Sequence, residues 1–364
     1  MKKGIKGEMI NRVMIMMMFV VVMMVMGCNS GGVSEGKVDL ARKNSFLESL
    51  VKIGEGFQEI FGVFGSAVGD ALGFSVVKSG DSRSKVGEHF KKIGDGLTTT
   101  KNKLNELKVK ISDAKSADGS TIKVVEDAIK GANDVFEQLI AALTNLSGVA
   151  GNTPVGDNVT DAAVPANAAD VKIVIDNVKE IIAVAEKSDV KLAAGAPGQE
   201  VTAGAQTNAP AILGGTASDN AGPKFAEEVS KADPWAMIDK IKNSKTKSGV
   251  AAANNDSAGE LATGNNNGNN GFNAATNADL VAAIALKAMT RDGKFSSAND
   301  DVGAVKAAAT NAVNKVLGVI NIIIRKTVSS NLDKVREAVK RIKYSDTSGS
   351  EASQSDTTQT IATK

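Results

Sequence analysis

Apolar residues recur along this chain at alternating gaps of four and three, the signature of an α-helix with one buried seam. Phe46, Leu50, Ile53, Phe57, Ile60 and Phe64 form the first such run. Val86, Phe90, Ile93, Leu97, Thr100, Leu104, Leu107 and Ile111 form the second, and Ile122, Val125, Ile129, Ala132, Phe136, Leu139, Leu143 and Leu146 the third. Ser120 or Thr121 is the expected N-cap of the third. Gly54, Gly56, Gly62, Gly65 and Gly69 punctuate the first run. They predict either a close helix–helix approach or a break near Gly73, since each weakens a helix by up to about 1 kcal/mol relative to Ala.

Shorter helices are predicted over Asp170–Lys187, after Pro223, after Pro234 and over Leu280–Met289 with Asp279 as cap. Asp301–Lys343 reads as one long helix or a kinked pair, about 65 Å long if unbroken. No stretch alternates long enough to predict a strand. Three segments lack a helical seam: 148–169, 192–222 and 243–278. The second holds only two charges, Glu200 and Asp219, and residues 248–278 contain nine Asn, five Gly and no Lys or Arg. These segments are expected to be long exposed loops, because such compositions offset little of the entropy of ordering. The expected fold class is therefore all-α: an elongated helical bundle, its long terminal helices together at one end and low-complexity loops at the other.

The N-terminus carries an address. Lys2, Lys3, Lys6 and Arg12 precede fourteen uncharged residues, Val13–Met26. That run suits a signal-peptide core and falls short of the ~20 residues that span a bilayer. It ends Val25-Met26-Gly27-Cys28, a relaxed lipobox. Cleavage is expected between Gly27 and Cys28, with lipid attached to Cys28, so residues 1–27 are signal peptide. Two or more acyl chains would anchor the protein stably. Residues 28–43 are expected to be a lipidated flexible tether, 44–344 a single helical domain, and 345–364 a disordered Ser/Thr-rich tail. Without the leader, the chain's charge falls from +2 to −1, with 39 basic and 40 acidic residues. Arguments from a basic protein therefore do not apply to the mature chain.

Composition leaves little room for catalysis. Single Cys and His residues exclude disulfide frameworks and two-histidine metal sites, and aromatics are only 4% of the chain. His89 lies just off a seam and is expected at the surface or its boundary. Asp292-Gly293-Lys294 lacks the alternating ligands of a calcium loop and is read as a turn. No phosphate-binding glycine loop occurs, and nothing points to an enzyme, a cofactor, a metal or a nucleic-acid partner. Two basic clusters remain. Lys240, Lys242, Lys245 and Lys247 form one, and Arg336, Lys340, Arg341 and Lys343 the other. Each suits a polyanion such as a sulfated glycan or an anionic lipid headgroup, although such runs are usually solvated helix faces.

Together these residues resemble a family. The lipobox cysteine, the Gly-punctuated helix of Phe46–Phe74, the Ala/Gly/Asn loops, Ala282-Ala283-Ile284-Ala285-Leu286-Lys287-Ala288-Met289, Arg291-Asp292-Gly293-Lys294-Phe295 and the long C-terminal helix follow one another as in the variable large proteins. These are a branch of the variable major proteins of Borrelia spirochaetes. Asp233-Pro234-Trp235-Ala236-Met237-Ile238 supports the likeness, which covers essentially the whole chain; Ala278–Phe295 is its most specific part. The resemblance implies a surface-exposed outer-membrane lipoprotein that evades host antibody by antigenic variation. It also implies terminal helices near the membrane and, in some relatives, homodimers. Adhesion to host glycans or extracellular matrix is the alternative function.

Overall fold

A computed structural model describes residues 35–69, 76–266 and 268–345. Four long helices form a bundle: α1 (Glu35–Gly69), α2 (Ser84–Ser112), α3 (Gly119–Ser147) and α10 (Val302–Val339). Between α3 and α10 come β1 (Asn158–Val159), α4 (Ala168–Lys187), α5 (Ala209–Gly214), α6 (Ala221–Lys231), α7 (Pro234–Lys242), α8 (Ala258–Thr263), α9 (Asn277–Met289), β2 (Phe295–Ser296) and a 3₁₀ turn at Asn299–Asp301. The all-α expectation holds, with two-residue β1 and β2 pairing in parallel as the small addition.

The seams pack as their periods require. Phe46, Ile53, Phe57, Ile60 and Phe64 of α1 are buried, as is every seam residue of α2 from Val86 to Ile111. α1 lies on α2, α2 on α3, and α3 on both α4 and α10. Gly56 lets α1 and α2 approach, since a Cβ there would stand 3.1 Å from Leu107 Cδ1. The helix runs on through the glycines as far as Gly69, and the expected break near Gly73 falls outside the described residues. Asp118, rather than Ser120 or Thr121, caps α3, accepting from the Thr121 amide at 3.0 Å.

The tether expectation changes. Residues 35–43 already belong to α1, while Cys28, the leader and the rest of the tether lie outside the described residues, as does the tail from 346. The long C-terminal helix is unbroken over 38 residues. Asn299–Val339 is long and apolar enough to cross a membrane, yet 67% of its most apolar window is buried inside the fold. It is the bundle's core helix.

Candidate functional surface at the loop-bearing end

The segments expected as loops build a head around α9. Every residue of α9 from Asn277 to Met289 is buried. A helix apolar on all sides needs covering on all sides, and α5, α6, α7, α8 and α10 supply it. Thr276 caps α9 by accepting from the Asp279 amide at 3.2 Å, so the cap lies three residues before the expected Asp279.

The expectation of wholly exposed loops is overturned in part. Within 192–222, Ala209–Gly214 is a buried helical turn, and α6 begins at Ala221. Within 243–278, Ser257 and Glu260 make a capping box for α8, whose Ala258, Leu261 and Ala262 are buried beside Ala252, Phe272 and Ala274. Small side chains bury here because the backbone itself finds partners: Val201 and Ala274 exchange amide–carbonyl bonds at 3.0 and 2.9 Å, and Asn265 donates to Val250 O at 2.8 Å. Phe272 is clamped against Gly214, where a Cβ would meet its ring at 2.1 Å. The longest exposed stretches within 192–222 and 243–278 are narrower than the expected loops: 193–200, 248–251, 253–255 and 268–270, with 160–162 exposed in the first segment, 148–169. The first four, the tips, are the longest solvent-facing stretches of the two charge-poor segments.

Buried charges hold the loops in place. Arg291 grips the buried Asp170 carboxylate with two guanidinium nitrogens, Nε at 2.6 Å from Oδ2. Lys315 donates to the carbonyls of Val229, Ser230 and Ala232 at 2.7, 3.0 and 2.7 Å, closing the C-terminal end of α6. Lys287, fully buried, donates to Leu213 O at 2.7 Å, with its ammonium 5.6 Å from the Phe295 ring centroid. Burial, and secondarily the charge of Arg83, push its pKa down to about 7. Arg83 is itself buried and donates through Nη2 to Gly293 O.

The basic cluster expected as a polyanion contact is largely occupied within the chain. Lys240 pairs with Asp279 at 2.9 Å, Lys242 with Asp239 at 3.4 Å, and Lys247 with Asp256. Only Lys245 makes no ion pair among the described residues. His89 corrects another expectation: it is 7% exposed, with Nε2 3.0 Å from Asn321 Oδ1, because α10 covers the flank of the α2 seam. Burial lowers its pKa against the raising effect of that hydrogen bond. The Asp292 turn stands as expected, with Asp292 at φ 68°. Among the described residues, no group of three or more His, Cys, Asp or Glu could hold a metal ion.

Fold and surface together define an all-α bundle protein whose distinguishing feature is a loop-covered head fixed on a buried core. The model of the Borrelia lipoprotein family matches residues 57–339. Variable large protein 14 of Borrelia hermsii is 57% identical over 339 residues, covering 91% of this chain and 94% of that protein. Variable large proteins 12 and 10 of the same organism are 53% and 52% identical, each over 94% of this chain. The crystal structure of the Lyme disease variable surface antigen VlsE of Borrelia burgdorferi superposes with a TM-score of 0.64 at 30% identity, covering 81% of this chain and 99% of that one. The chain belongs to the Borrelia lipoprotein family, as one of its variable large proteins.

Proposed function

We propose that this protein is an antigenically variable surface lipoprotein, anchored to the spirochaete's outer membrane through lipid on Cys28 and recognised by host antibodies at its loop tips. The observation that carries the reading is the division of labour in the head. The tips at 193–200, 248–251, 253–255 and 268–270 are exposed, while Ala209–Gly214, Ala258, Leu261, Ala262, Phe272 and Ala274 between and beside them are buried and Val201, Asn265 and Ala274 are held through main chain. Substitution at a solvent-facing tip alters what an antibody meets and contributes little to packing. The likeness to the variable surface antigen VlsE supports this role. Recognition, rather than catalysis, is what such a surface does.

Protease treatment of intact cells tests the location, with a periplasmic marker as control. Loss of the full-length chain while the marker survives is the expected result. Protection until permeabilisation would put the domain inside the envelope and end the immune-evasion reading. Mass spectrometry of the chain purified from membranes tests the anchor separately. The expected N-terminus is Cys28 bearing diacylglyceryl and acyl groups, and a chain starting elsewhere or carrying no lipid would refute it.

A further inference from the structure

The start of α1, the α2–α3 connection and the end of α10 meet in one end face of the bundle. The Tyr344 hydroxyl donates to Asp39 Oδ1 at 3.0 Å, and its ring meets Phe46 edge-on at 5.6 Å. The Asp118 amide donates to Lys343 O at 2.8 Å, the Lys343 amide to Thr121 Oγ1 at 3.2 Å, and the Ser345 amide to Ser116 O at 2.9 Å. The charge on this face has one dominant sign. Residues 38–45, 108–123 and 333–345 carry eleven Lys and Arg against five Asp and Glu. Residues 148–300, which hold the head, carry thirteen against eighteen. Arg42, Lys108, Lys110, Lys115, Arg341 and Lys343 are exposed and make no ion pair within 4 Å among the described residues.

Apolar side chains share the face. Val38, Leu40, Val109 and Val124 are each at least half exposed, four of the six large hydrophobics so placed among the described residues. A shallow groove joins both chemistries, lined by Val38, Ala41, Arg42, Ser45, Lys115 and Ser116.

We propose that this end face rests on the anionic lipid headgroups of the membrane that holds the protein. The proposal builds on the reading of Cys28 as the lipid-bearing residue. The seven residue steps from Cys28 to Glu35 reach at most about 25 Å, so the anchor holds the face close to the bilayer surface and raises its local concentration there. Exposed Lys and Arg are drawn to anionic headgroups, and exposed aliphatic side chains enter the interfacial layer. A sulfated glycan would satisfy the cations and leave Val38, Leu40, Val109 and Val124 in water; a bilayer satisfies both. The acidic head is repelled by the same surface.

The test uses the mature chain, residues 28–364 with Cys28→Ser, sedimented with vesicles of phosphatidylcholine alone or with 30 mol% phosphatidylglycerol. Binding is expected only to the anionic vesicles, and it should be lost in 0.5 M NaCl. Each cation near such a surface contributes about fivefold. The variant Arg42→Gln, Lys115→Gln, Arg341→Gln, Lys343→Gln should therefore bind several hundredfold more weakly. Lys224→Gln, Lys245→Gln, on exposed head cations, should bind like the parent. Circular dichroism of both variants checks that the helices persist. Equal binding to neutral vesicles, no binding to either kind, or capture by heparin through the same four residues without vesicle binding would each overturn the proposal. If chain isolated from cells lacks lipid on Cys28 but the Cys28→Ser protein binds anionic vesicles, the anchor reading falls and the headgroup contact stands.

Discussion

Lys287 gives the sharpest test of how the head is held together. Its ammonium is enclosed by α5 and Phe295 with Leu213 O as hydrogen-bond acceptor, and no carboxylate is among the causes that shift it. Burial and the nearby Arg83 charge lower its pKa from 10.5 to about 7. The unfolded chain therefore holds this proton between pH 7 and pH 10.5 while the folded chain releases it. Stability from this group is fully present above the unfolded value and is lost as pH falls towards 7. Each pH unit inside the window is worth about 1.4 kcal/mol, so raising pH from 7 to 9 should stabilise the parent by about 2 kcal/mol through Lys287 alone. Lys287→Met keeps an unbranched apolar stem one atom shorter and removes the proton. It also orphans Leu213 O, at a cost of about 1–3 kcal/mol that is independent of pH. Urea unfolding followed by helical circular dichroism at pH 7 and pH 9 separates the two effects, because every other titrating group is common to both proteins. The parent should gain about 2 kcal/mol more than the variant across that interval. Equal gains in both would refute the claim that a buried, cationic Lys287 strains the head near neutral pH.

Two further outcomes follow from the same packing. His89 is the chain's single histidine, so its ring proton resonance is unambiguous; it should titrate below the ordinary value of 6.5, and its contribution to stability should fade as acid carries the pH through that lowered value. A midpoint at or above 6.5 would contradict its burial. Replacing 193–200 with an unrelated polar sequence that keeps Gly195 and Gly198, both at positive φ, should shift stability by no more than about 0.5 kcal/mol, whereas Phe272→Ala should cost about 3–5 kcal/mol; comparable losses in thermal melts would show that tip and anchor are not distinct.

The bundle was legible because its information is local. A four–three seam states which face of α1, α2, α3 or α10 is buried without reference to any other helix, and Phe136 or Leu104 could be assigned from spacing alone. The head was less legible because its information is distributed. Asn-rich and Ala-rich segments looked exposed, yet α5 and α8 are buried through backbone bonds and small side chains packed on α9. Two signals were present in the sequence: the Ser257–Glu260 spacing of a capping box, and the near-absence of charge over 192–222, which suits an interior as well as a flexible loop. Nothing near His89 announces Asn321, which lies 232 residues away, and nothing near Lys240 announces Asp279. Such long-range partners appear only once the chain is folded.

The head's construction explains how one fold can carry many surfaces. The exposed tips are bracketed by pairings that use main-chain atoms: Val201 with Ala274, Ala252 and Val250 with Asn265, and Ala163 with Gly215 O. A main-chain hydrogen bond is indifferent to the side chain above it, provided the residue is not proline and the backbone angle is allowed. Side-chain identity is demanded instead at a few interior points. Phe272 must fit against Gly214, Asp170 must meet Arg291, and Lys287 must reach Leu213 O. Each of these points lies outside the exposed tips. Selection for altered recognition can therefore act on the tips while selection for folding acts on the anchors, and the two need not oppose each other.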